Sequence, residues 1–148
     1  MTARTDALAT QVLSLALEPA DLDIDDTTWT ALERRFNGVV HPALRRVLSD
    51  HTFTDRFPFQ AWLPASWQRL SEFSPGRVET PDFVIIGEKH DKHVPTGSVY
   101  GVEWTSLVDP AAPLWTWTEG GAPRVMAAHL LEHPAVADAM ARLWLRRR

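Results

Sequence analysis

The feature that most constrains this chain is a change of period at Asp82. Before that residue, apolar side chains recur every three or four positions; after it come three short runs of strand type. FVIIG (83–87) is β-branched and aromatic and is bounded by Pro81 and Gly87, which reads as a buried strand. SVYGVEW (98–104) alternates, placing Tyr100, Val102 and Trp104 on one face and Val99, Gly101 and Glu103 on the other. PLWTWTEGG (113–121) alternates again: Trp115 and Trp117 fall together, opposite Leu114, Thr116 and Thr118, and Glu119-Gly120-Gly121 forms a turn. Three strands in succession predict an antiparallel meander.

Helical pattern surrounds this block. Leu8, Val12 and Leu15 keep helical spacing, with Thr5 as an N-cap, and Pro19 ends that segment. Asp26 or Thr27 caps a second helix with Trp29, Leu32 and Phe36 on one face, stopped at Asn37-Gly38. Pro42 suits the first turn of a third, which buries Leu44, Val47 and Leu48. Phe53, Phe57, Phe59 and Trp62 lack a period and read as an irregular segment laying aromatics on the core. Pro64 then opens a further helical turn directing Trp67, Leu70 and Phe73 inward. RVMAAHLLEH (124–133) has helical apolar spacing at Val125, Met126 and Leu130. Pro134 starts a last helix with Val136, Met140, Leu143 and Trp144 on its inner side. The expectation is a single α+β domain over residues 1–148, with 1–20 as an N-terminal helical extension. A central, mostly antiparallel sheet lies between N-terminal and C-terminal helices.

Composition narrows the classes. At 148 residues one core is affordable and a second domain is not expected. With 45% hydrophobic and 23% charged residues, whole-chain disorder is excluded. The absence of cysteine removes disulfides and thiolate metal sites and fits a reducing compartment. The first twenty residues lack the clean apolar core of a signal peptide, and no apolar run approaches membrane-spanning length. A cytoplasmic protein without membrane contact is therefore expected. A net charge of −4 argues against nucleic acid as the partner, and Arg146, Arg147 and Arg148 read as a solvated tail.

Three features could carry chemistry. GEKHDKH (87–93) holds both lysines of the chain, and Glu88, His90, Asp91 and His93 could offer nitrogen and oxygen to a divalent ion. Its position between two strands, before Pro95-Thr96-Gly97, reads instead as a solvated loop, and the lysines oppose a cation. Such a loop can make a binding surface sensitive to pH near the histidine pKa. His129 and His133 lie four residues apart on the predicted helix, but Leu130 stands where a zinc-protease helix has glutamate; histidines near a helix C-terminus suffice as an explanation. No nucleophile elbow or phosphate-cradling glycine loop is present, so no catalytic residue, metal or cofactor is assigned and the chain does not read as an enzyme. Asp21, Asp23, Asp25 and Asp26 form an acidic run: a solvated linker capping the next helix, or a patch that steers a basic partner.

The order of features also resembles a known family. TWTALERRFNGVVHPALRRVL is similar to the opening of the SUKH superfamily: an aromatic-and-leucine helix with a glutamate, a glycine break, a Leu-Pro step and a second helix ending in an apolar pair. Leu32-Glu33, Gly38, Pro42 and Val47-Leu48 stand in that order, with His41 where the family has leucine. FVIIGE, SVYGVEW, PLWTWTEGG and VMAAHLLEH resemble the family's sheet and the helix that closes it, so the likeness spans 25–133. It implies an α+β binding domain, found in bacteria largely as immunity proteins against polymorphic toxins and in fungi as regulators of cell-wall assembly. The family shares no catalytic residues. The partner expected is a cognate protein, a basic nuclease-type toxin being the kind that an acidic surface suits. Contact residues chosen for charge and expected exposure are Asp21, Asp23, Asp25, Asp26, Glu88, Asp91 and Glu103. The alternatives are a regulatory or scaffold module of the same fold and, third, a metal-dependent hydrolase using the histidine-rich segments.

Overall fold

The structure, a computed structural model, describes residues 3–14, 26–73, 83–89, 98–118 and 121–146. The helical spacing of the first third becomes α1 (Ala3–Ser14), α2 (Asp26–Phe36) and α3 (Pro42–Ser49). α2 buries Trp29, Leu32 and Phe36, as their spacing demands. It ends at Asn37, whose φ of 59° is the left-handed conformation that asparagine tolerates. α3 opens on His41-Pro42-Ala43. The His41 Nδ1 accepts the Ala43 N–H at 3.1 Å, and Pro42 occupies a position whose N–H would have no partner in the helix anyway. The same triplet recurs at His133-Pro134-Ala135, where His133 Nδ1 accepts the Ala135 N–H at 3.0 Å.

The aromatic stretch is more regular than its sequence suggests. Asp50, wholly buried, caps the single turn α4 (His51–Thr54) by accepting the Thr52 N–H at 2.9 Å. Phe53, Phe57 and Phe59 are buried as expected, but Phe59 begins a strand, β1 (Phe59–Ala61). Pro64–Ser66 is one 3-10 turn, followed by β2 (Gln68–Arg69) and the one-turn helix α5 (Leu70–Phe73) in place of the single helical turn expected. Trp67 and Leu70 do point inward, whereas Phe73 is largely at the surface.

The meander is present and has one more strand than predicted. β3 (Phe83–Lys89), β4 (Ser98–Glu103), β5 (Leu114–Thr118) and β6 (Arg124–Ala127) pair antiparallel in chain order, and β1 and β2 both pair with the free side of β3. β6 replaces the start of the expected helix at 124–133. The Gly121 N–H bonds the Thr118 carbonyl at 2.9 Å, and the returning chain pairs Thr116 with Arg124 and Leu114 with Ala127. Over so few residues, strand pairing outweighs apolar spacing.

Both sheet faces are buried, which explains the unbroken apolar run of FVIIG. Val84, Ile86, Tyr100, Val102 and Leu114 face the main core, while Phe83, Ile85, Val99 and Trp117 form a second cluster with Leu70. Gly101 is obligatory there, since a β-carbon would overlap the Val84 carbonyl and the Phe83 ring. The last helix, α6 (Pro134–Arg146), buries Val136, Ala139 and Leu143; this stripe leaves Trp144 at its edge, 56% exposed and not inward as expected.

Sheet and helices meet at Trp104, the residue after β4. Its ring lies 4.9 Å from Phe36, 6.2 Å from Trp67 and 6.5 Å from Trp29, and its indole N–H donates to the Gly38 carbonyl at 2.9 Å. The opposite side of the same loop is held by Glu33, which accepts the Val40 N–H at 2.7 Å and the Arg45 guanidinium at 2.7 and 2.8 Å. Trp104→Phe keeps a ring but strands the Gly38 carbonyl and is expected to cost about 1–3 kcal/mol. Trp104→Ala is expected to cost about 3–5 kcal/mol. Urea unfolding midpoints check both, and an unchanged midpoint in either variant contradicts the assignment.

Candidate functional site

Where α3 gives way to α4, the helical layer stands off from β1 and leaves a groove of about 550 Å³. His51, Thr54 and Asp55 form one wall; Phe59 to Pro64 form the other. The strand wall is firmly placed. Phe59 stacks on Tyr100 at 4.5 Å with 14° between the rings, and it also packs on Phe57 at 5.3 Å. The Trp62 N–H donates to the Ile86 carbonyl at 2.8 Å, and the Trp62 carbonyl accepts the Trp67 indole N–H at 3.1 Å. Leu63, between Trp62 and the Pro64 turn, is 73% exposed. An apolar side chain is thus held at the surface by its neighbours' hydrogen bonds and not by its own burial.

The groove has a charge sign. Among the described residues no arginine or lysine lines it, and Asp55 is exposed at its helical wall. Gln60 lies opposite Glu88 across the β1–β3 pairing, and both are exposed; the pair shares the face of Val99, so Glu88 lies on the side of the sheet away from α4.

The acidic residues named from sequence do not assemble into one patch. Asp26 is exposed at the first residue of α2, Glu88 is exposed on β3, and Glu103 is half-buried at the end of β4. Glu88 and Glu103 occupy opposite ends of the β3–β4 ladder, about 13 Å apart along the strand. Asp21, Asp23, Asp25 and Asp91 lie outside the described residues, as do His90 and His93. Glu88, expected in a loop, belongs to β3, and none of the set lines the groove. Asp55, Trp62 and Leu63 were missed as surface residues; the signal available was an apolar pair directly before Pro64, which no longer-range period explains.

His129 and His133 do not share a helix face. A 3-10 turn, Leu130–Glu132, separates them and sends both Leu130 and Leu131 into the core. His129 Nδ1 lies 3.1 Å from the Ala111 carbonyl, and His133 caps α6 with its ring 5.0 Å from that of Phe57. Among the described residues, no three histidine, aspartate or glutamate side chains converge as a metal site, and no helix is long and apolar enough to cross a membrane. Comparison with protein-family models, with curated proteins and with solved structures found no match for this chain.

Burial lowers the pKa of His133 below the ordinary 6.5, and its Nδ1 must stay unprotonated to accept the Ala135 N–H. The unfolded chain therefore binds the proton more readily than the folded one. The stabilisation is full above pH 6.5 and is lost as pH falls from 6.5 through the lowered folded value. His133→Asn keeps a capping oxygen and removes the titration. Urea midpoints measured from pH 7.5 to 5 are expected to fall less in this variant than in the parent; equal slopes contradict the assignment.

Proposed function

We propose that this chain is a non-enzymatic protein-binding domain of SUKH type, an immunity protein that neutralises a cognate bacterial toxin in the cytoplasm by covering its active surface. The sequence likeness across Leu32-Glu33, Gly38, Pro42 and Val47-Leu48 supports the family, and the helix-turn-helix followed by an antiparallel sheet agrees with it. The observation that carries the binding reading is the groove beside β1. Leu63 is exposed yet rigidly presented, Trp62 is half-buried next to it, Asp55 stands on the facing wall with no arginine or lysine among the described lining residues, and Glu88 is exposed on the other face of the sheet. Protein interfaces are built on such apolar anchors in a polar rim. The carboxylates would steer a basic partner, as a nuclease toxin is where it grips phosphate. Occlusion needs no chemistry, only a surface that fills the space substrate would take.

Co-expression with the protein encoded immediately upstream is expected to rescue cells from killing, and the purified pair is expected to associate more slowly as ionic strength rises. Neither rescue nor a complex with any neighbouring gene product contradicts the reading. A complex without rescue assigns the chain to the regulatory or scaffold class of the same fold.

A further inference from the structure

The strand wall of the groove is also an unfinished sheet edge. Residues 59, 60 and 61 pair with 89, 88 and 87, and the Trp62 N–H donates to the Ile86 carbonyl. In an antiparallel ladder the bonding direction alternates, so Trp62 and Gln60 direct their N–H and C=O groups toward β3. Phe59 and Ala61 must then direct theirs away from it, toward the groove. Among the described residues, no turn, loop or capping bond engages the backbone of either. Two outward sets of donor and acceptor, one strand period apart, are the template an additional strand requires. At about 3.3 Å per residue, the wall from Phe59 to Leu63 matches roughly four residues of extended chain.

The surroundings say what kind of chain fits. Asp55 lies exposed on the facing wall, so a basic side chain finds a carboxylate there and, among the described lining residues, no arginine or lysine. Trp62 and Leu63 offer apolar surface at the end of the same wall. The sheet's other edge, β6, carries an exposed Arg124 and is preceded by Pro123, which has no N–H to offer.

We propose that the groove takes an extended segment of a partner protein as an added strand on β1, with a basic side chain toward Asp55 and an apolar one against Trp62 and Leu63. This rests on reading the chain as a protein-binding domain and specifies how that binding is made. Backbone pairing supplies affinity that is indifferent to sequence, and the flanking side chains supply selectivity.

The probe is a displayed library of random heptapeptides, selected on the full-length protein. Enriched peptides are expected to carry arginine or lysine within two residues of an aliphatic or aromatic residue. Binding is expected to slow hydrogen exchange at the Ala61 amide. Ala61→Pro removes that outward N–H, and proline is tolerated on an edge strand when the lost N–H faces outward. This variant is expected to weaken the selected peptides about tenfold. Asp55→Lys is expected to reverse the charge preference of the selected set. Enriched peptides without positive charge, unchanged binding by Ala61→Pro, or no enrichment above a Leu63→Asp control would each overturn the proposal. If Ala61→Pro and the charge-reversed protein still rescue cells from the toxin, the added strand falls and the immunity reading stands. If the peptides select as expected while no neighbouring product is neutralised, the groove stands and the immunity reading falls.

Discussion

Everything in this fold depends on how Trp104 joins the sheet to the helical layer. The residue leaves β4 directly, so its backbone belongs to the sheet, yet its ring sits among Trp29, Phe36 and Trp67. Large aromatic rings bury much area and tolerate few relative orientations, which makes them a stiff joint. The indole bond to Gly38 adds direction: it sets where the chain turns from α2 to α3. Glu33 holds the same turn from the other side through Val40 and Arg45. Once that turn is set, α3 and α4 have a defined height above the sheet, and the gap between α4 and β1 becomes the groove.

Much of this was legible in the sequence, for reasons that can be stated by residue. Trp29, Leu32 and Phe36 keep helical spacing over about two turns, between a capping Asp26 and the Asn37-Gly38 stop, and the helix is where they place it. Tyr100 and Val102 alternate with Val99 and Gly101, and β4 follows. The glutamate of the Leu32-Glu33 pair has a structural role, bracing the turn before α3. Segments 64–73 and 124–133 were misread because each is a chain of pieces two to four residues long. Such pieces take their conformation from the strand they pair with, and no local period reports that. Trp144 was misplaced for a simpler reason: four apolar positions define a stripe wider than α6 buries.

The functional surface was the least legible part, and physics explains why. Charge is visible in sequence, so the aspartates drew attention first. Exposure of an apolar residue is not visible, because Leu63 and the buried Leu70 look alike until the Pro64 turn has been placed. The outward direction of the Phe59 and Ala61 backbone is likewise a consequence of register with β3, a pairing some twenty-six to thirty residues distant. Edge strands in most domains are shielded by charge, bulges or covering loops. Here the edge is short and forms one wall of a groove, which limits indiscriminate pairing while leaving it open to a chain of the right length and charge.

The central claim is that partner binding occurs along this edge. It is tested most directly by mapping backbone hydrogen exchange of the full-length protein with and without the co-expressed partner it neutralises. The account predicts that the largest gain in protection falls within residues 59–63, with a smaller one at Asp55. Protection confined to another surface, such as the exposed Trp144 side of α6, with residues 59–63 exchanging as in the free protein, would contradict it.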